Sequence, residues 1–146
     1  DCALKNINLL GLKNNVKLVE ANLFPSAEYG KADLIVCNPP WLPAHPSSAL
    51  ESAVYDEKSR MLKGFLNGLG AHLNKDGEGW LILSNFAELL GLRSREDLLG
   101  WIAEAGLKVI ERTDTKARHG KTLDASDPLH AARKAEITSL WRLTHQ

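Results

Sequence analysis

Apolar positions run along this chain in two rhythms. At Met61, Leu62, Phe65, Leu66, Leu69 and Leu73 they fall three or four apart. That spacing predicts a helix over 56–73 with one apolar stripe. Leu98, Leu99, Trp101, Ile102 and Ala105 repeat it behind Ser94. Ser94 with Asp97 three residues on resembles a capping box, and Gly106 supplies a stop. A first helix covers 2–10 on Ala3, Leu4, Ile7 and Leu10, ended by Gly11. Elsewhere the apolar runs are short. Residues 32–37 are apolar on both faces, as a buried parallel strand should be, and 80–84 read the same way. Strands are also expected at 16–20 and 107–112. Residues 135–144 alternate and read as a last strand near a sheet edge. A turn is expected at 74–79, and 114–134 read as a long polar connection with a short helix from Asp127.

Strands alternating with helices predict an α/β domain, with a mostly parallel sheet and helices on both faces. In such sheets ligands sit beyond the carboxyl ends of the strands. That rule singles out Ala21-Asn22-Leu23-Phe24, Asn38-Pro39-Pro40-Trp41, Ser84-Asn85-Phe86 and the loop from Thr113.

Size and composition narrow the field. The 146 residues fit one domain with one core. Formal net charge is zero, so nucleic acid would have to be met by a local patch rather than by a polycationic surface. Lys116 and Arg118 belong to such a patch, Lys116 to Lys121, which could grip phosphates; a solvated loop balanced by Asp124 and Asp127 reads slightly better. Two cysteines without metal or disulfide spacing point to a reducing, cytoplasmic setting. Five scattered histidines give no metal-ligand pattern. No run nears the ~18 apolar residues of a membrane span.

The chemistry lies in Asn38-Pro39-Pro40-Trp41. An amine or amide nitrogen conjugated to a ring or carbonyl is a poor nucleophile. Two acceptors that bind its two N–H groups hold it nearer tetrahedral and free its lone pair. The Asn38 side-chain oxygen and the Pro39 carbonyl are the candidate acceptors. The prolines fix φ and remove backbone donors. Trp41 offers a face for a planar group, and stacking on it is worth ~1–3 kcal/mol for a base.

These four residues resemble the [N/D]-P-P-[Y/F/W] motif of amino-group methyltransferases that use S-adenosylmethionine. The family includes nucleobase N-methyltransferases and protein-glutamine N-methyltransferases. Residues 1–12 look like the helix after its second strand, Val19-Glu20-Ala21-Asn22-Leu23-Phe24 like its adenine-contacting segment, and Leu73 to Leu83 like the turn and strand beyond its catalytic loop. The resemblance runs from residue 1 to about 113. It implies a Rossmann-like class I sheet, with Asn22, Leu23 and Asn38 at the cofactor. Asn38, Pro39, Pro40 and Trp41 would form the catalytic motif, and Trp41, Lys116 and Arg118 would meet the acceptor. An RNA base is the first choice of acceptor and a protein glutamine the second. The family's glycine-rich loop is missing, and Asn22 stands where Asp is commoner. The expectation is therefore the C-terminal part of a catalytic domain, without its first two strands. Such a piece alone should bind cofactor poorly, be inactive, and have an exposed sheet edge through which it could form a homodimer. Two rivals are a non-catalytic nucleic-acid- or protein-binding module on the same sheet and an unrelated nucleotide-binding protein, though no phosphate loop supports the latter.

Bland readings compete at several positions. Asn-Pro-Pro-Trp could simply end a strand. Asn22 could make a local turn. Asn85 and Phe86 read as helix-start and core residues, and Cys37 as a small buried apolar side chain.

Overall fold

The computed structural model describes residues 2–43, 55–116 and 129–146. The basic patch beyond Lys116, including Arg118, the loop 44–54 and the helix expected from Asp127 lie outside the described residues or begin outside them.

Helix α1 (Cys2–Leu9) is followed by Gly11 at a φ of 67°, a left-handed stop that glycine adopts without strain. Strand β1 (Ala32–Cys37), helix α2 (Arg60–His72) and strand β2 (Leu73–Ser84) then form a βαβ unit with parallel strands. After β2 come α3 (Phe86–Leu89), α4 (Arg95–Glu104), β3 (Leu107–Lys116), α5 (His130–Ala135) and β4 (Ile137–His145). The sheet order is β1-β2-β4-β3, and β4 is antiparallel to both neighbours.

The domain is α/β, but the sheet is mixed rather than mostly parallel. The last strand is not near an edge either: β4 lies between β2 and β3, and β3 is the outer strand. Its alternation reports a sheet covered on one side. Ser139, Trp141 and Leu143 point into the core while Thr138, Leu140 and Arg142 point away. Helices on both faces are not what the described residues present. Leu62, Phe65, Leu66 and Leu69 of α2 share one core cluster with Leu98 and Ile102 of α4, Leu81 and Leu83 of β2, and Leu143 of β4. Both helices therefore pack on the same face. On the other, Leu34 and Val36 are about half exposed, at 47% and 55%, so β1 is an edge strand open on that face and not the strand buried on both faces that its apolar run suggests.

The strand expected at 16–20 does not form. Val16 and Leu18 are exposed, and the segment has no neighbouring strand to complete a hydrogen-bonded ladder. The turn expected at 74–79 becomes an irregularity within β2. Between Ala32 and Leu34 on β1, the partner residue on β2 moves from Leu73 to Glu78. The turn-forming residues are extruded there instead of linking two elements. Gly77 makes this possible, since a Cβ would sit 2.9 Å from the Ala32 carbonyl oxygen.

The α2 start is built by Asp56. Its Oδ1 accepts from Met61 N–H at 2.8 Å and its Oδ2 from Leu62 N–H at 3.0 Å, satisfying two orphan donors of the first turn. To bring Asp56 back over the helix end, Lys58 and Ser59 both take left-handed φ, 56° and 54°. Such conformations cost roughly 1–2 kcal/mol each, which the charged hydrogen bonds offset. At α4 the box is complete: Asp97 N–H donates to Ser94 Oγ and Ser94 N–H to Asp97 Oδ2, both at 3.0 Å.

Candidate functional site

Because β4 is antiparallel to β2 and β3, the carboxyl ends of β1, β2 and β3 meet at one end of the sheet, beside the start of β4. Asn38-Pro39-Pro40-Trp41 leaves β1 there. Asn38 is exposed, Pro39 buried, and Pro40 and Trp41 partly buried. The Trp41 indole N–H donates to Asn38 Oδ1 at 3.0 Å. This bond fixes the amide and turns the indole edge toward it. An amide oxygen has two lone pairs, so Oδ1 can accept a second N–H.

Two cavities open at this end, and Asn38 lines both. The first, of about 580 Å³, runs from Ala21 and Leu23 across β1 to Met61, Phe65 and His72 on α2. The second, of about 540 Å³, is walled by Pro39, Pro40, Trp41, Tyr55 and Phe86, with Arg133 and Glu136 as its charged residues. Asn38 is thus the partition between two chambers.

The wall of the first chamber is a tight turn. Phe24 N–H donates to the Asn22 carbonyl at 3.0 Å across Leu23, whose φ is 69°. A three-residue turn with positive φ at a non-glycine centre is strained, and such strain gathers at functional sites. The turn presses Leu23 and Phe24 onto α2 at Gly64 and Gly68. A Cβ on Gly64 would lie 2.7 Å from Leu23 Cδ1, and one on Gly68 2.6 Å from Phe24 Cε2. Phe24 stacks on His72, with centroids 4.4 Å apart, and on Phe65 at 5.9 Å. The two His72 ring nitrogens face the carbonyls of Gly68 and Pro25. Cys37 also lines this chamber; burial, then the nearby Asp56 charge, pushes its thiol up to about 11. It is an inert wall.

The second chamber is ordered from the end of β2. Ser84 Oγ donates to Glu136 Oε1 at 2.6 Å and accepts from Phe86 N–H at 3.0 Å. The Arg133 guanidinium lies 5.2 Å from the centroid of the Phe86 ring, a cation–π contact. Asn85 ties β2 to β4: its N–H donates to the Ile137 carbonyl, and its Oδ1 accepts from Ile137 N–H at 2.8 Å. Beneath the site Arg93 is buried, with Nη2 3.5 Å from the Ser84 carbonyl oxygen. Burial lowers its pKa, while Glu88, Asp56 and Asp97 oppose that shift.

The structure therefore brings together Leu23, Asn38, Pro39, Pro40 and Trp41. Asn22 is exposed and is not among the lining residues, although Ala21 and Leu23 on either side are. Lys116 ends the outer strand β3 and lines neither chamber. Sequence reasoning left out Tyr55 and Glu136 as site residues, held Phe24 only as part of a strand-end segment, and read Phe86 as core. Phe86 carried a signal, since it follows the carboxyl end of a strand. Arg133 and Glu136 carried none without the sheet order. They precede β4, whose beginning faces the site only because that strand runs backwards. Among the described residues no helix is long and apolar enough to cross a membrane, and no three His, Cys, Asp or Glu side chains gather as a metal site needs. No family model and no curated protein sequence matches the chain.

Proposed function

We propose that this chain is part of a Rossmann-like class I N-methyltransferase that uses S-adenosylmethionine and acts on a planar nitrogen, an exocyclic amine of an RNA base. One observation carries the reading: Asn38 separates two chambers of similar size, and transfer between two bound molecules needs a polar group at their junction. The first chamber fits the base of a nucleoside. Leu23, Phe24 and Asn38 would hold the cofactor there, and when bound it supplies an electrophilic methyl group. Among the described residues that line it there is no carboxylate to take the ribose hydroxyls, so their fit covers the base and not the sugar.

In the second chamber Trp41, Tyr55 and Phe86 give aromatic surface for a flipped base. Asn38 Oδ1, braced by the Trp41 N–H, accepts one N–H of the acceptor amine, and the Pro39 carbonyl is the candidate for the other. The acceptor nitrogen would take the methyl group as the carbon–sulfur bond of the sulfonium breaks and a neutral thioether leaves, and would then shed one proton to water, so no strong base is required. Orientation and electrostatic preorganisation do the work.

The test is transfer of a radiolabelled methyl group by the full-length enzyme to bulk RNA and to total protein. Label should enter RNA, and Asn38→Ala should lower the rate roughly 100-fold, the usual cost of losing one preorganised hydrogen-bonding group. Equal rates for the two proteins would defeat the mechanism. Label only in protein would move the acceptor to a glutamine amide. A non-catalytic binding role draws on the carboxylate-free first chamber, and label in neither pool would leave that role standing.

A further inference from the structure

The end of the sheet opposite Asn38 holds a third hollow, of about 620 Å³, lined by Lys31, Lys75, Lys108 and His145, with Asp76 as its one carboxylate. We propose that it binds a small, multiply charged phosphate, of the inorganic pyrophosphate class, recognised through its oxygens alone. This site goes beyond methyl transfer and does not depend on it.

Three strands bring the lysines together. Lys31 precedes β1, Lys108 is the second residue of β3, and Lys75 lies in the stretch of β2 extruded where the pairing jumps from Leu73 to Glu78. That stretch is held on both sides. Asn74 Nδ2 donates to Asp33 Oδ1 at 2.6 Å, and Thr144 Oγ1 donates to the Gly77 carbonyl at 3.0 Å. Thr144 is the cross-strand partner of Lys108, so the backbones that carry Lys75 and Lys108 are tied to each other. Among the described residues none of the three ammonium groups, nor the Asp76 carboxylate, has an ion-pair partner. Three positive charges therefore face one negative charge in a single hollow. Their mutual repulsion is relieved by an anion placed among them, and each ammonium brings three donors to phosphate oxygens. A nucleic-acid strand fits less well. The one ring among the described lining residues, His145, lies against α2, its Cε1 3.5 Å from where a Cβ on Gly70 would stand. Successive bases thus find no stacking platform, and only charge is read. The six residues of β1, at ~3.3 Å each, put roughly 20 Å between the hollow and Asn38. Lys31 also lines the far end of the first chamber, whereas Lys75 and Lys108 line neither chamber.

Isothermal titration calorimetry of the full-length enzyme tests this, with inorganic pyrophosphate in one arm and a short single-stranded RNA in the other. Pyrophosphate should bind one-to-one with a dissociation constant of about 1 mM or below, more weakly as salt rises. Lys75→Ala combined with Lys108→Ala should weaken it roughly 5–25-fold, up to about fivefold for each exposed pair. Both side chains are exposed, so the double variant should melt in urea with the wild type. Lys75→Arg combined with Lys108→Arg should retain binding. RNA affinity should be the same in wild type and the double alanine variant. Absence of saturable pyrophosphate binding, or equal pyrophosphate affinity in the double alanine variant, would overturn the assignment. So would a parallel loss of RNA affinity, which would give the lysines to a nucleic-acid backbone instead.

Discussion

Gly68→Ala tests whether the Leu23–Phe24 turn is pressed on α2. In an unobstructed helix this change stabilises by about 0.8–1.0 kcal/mol, because alanine loses less backbone entropy. Gly100 in α4 is such a place: a Cβ there meets nothing within 4 Å. At Gly68 the new methyl would sit 2.6 and 2.8 Å from two carbons of the Phe24 ring. The ring must move, and it is stacked on both His72 and Phe65. Overpacking of this kind costs about 1–3 kcal/mol, so Gly68→Ala should end roughly 1 kcal/mol less stable than wild type. Gly100→Ala should end about 1 kcal/mol more stable. The contrast between the variants, about 2 kcal/mol, is the quantity to measure, since the helix term is common to both. Urea unfolding followed by tryptophan fluorescence reads it: with a slope near 2 kcal/mol per molar, the midpoints should differ by roughly 1 M. If both alanines stabilise equally, Phe24 does not lie against α2 and does not wall the first chamber.

Two further outcomes follow from buried groups at the same end of the sheet. Asp56→Ala removes two charged hydrogen bonds at the α2 start and a carboxylate near buried Arg93, and should cost about 3 kcal/mol in a urea melt; a loss under about 1 kcal/mol would contradict the capping role. Cys37 holds its proton more tightly folded than unfolded. Its contribution to stability is therefore complete below pH 9.0 and is lost as pH rises toward about 11. Wild type should lose stability relative to Cys37→Ala across that window, and parallel pH profiles would refute the half-buried, uncharged thiol.

The elements that were legible in the sequence are those whose signal is local. The α2 stripe, the Ser94 start with Gly106 as its stop, and the abrupt end of β1 at Asn38 each depend on residues a few positions apart. The failures share the opposite property. Residues 16–20 have a strand's β-branched and apolar composition but no adjacent strand, and a ladder needs a partner. The 74–79 cluster has a turn's composition, yet the direct passage from His72 into Leu73 leaves no connection for it to make, so it distorts β2 against β1. Gly64 and Gly68 lie on a helix whose local pattern carries no trace of Leu23 and Phe24, and only the tertiary structure sets those side chains against them.

By itself, then, the sequence determined the α/β character, the strand that stops at Asn-Pro-Pro-Trp, and the chemistry those four residues can offer, because proline geometry and side-chain donors and acceptors travel with the residues. Tertiary structure alone decided that β4 runs antiparallel between β2 and β3. That reversal places the beginning of the strand, and with it Arg133 and Glu136, beside Trp41. It also decided that Asn38 stands between two chambers. Both facts depend on contacts between residues up to a hundred positions apart, and no short-range pattern in the chain encodes such pairings.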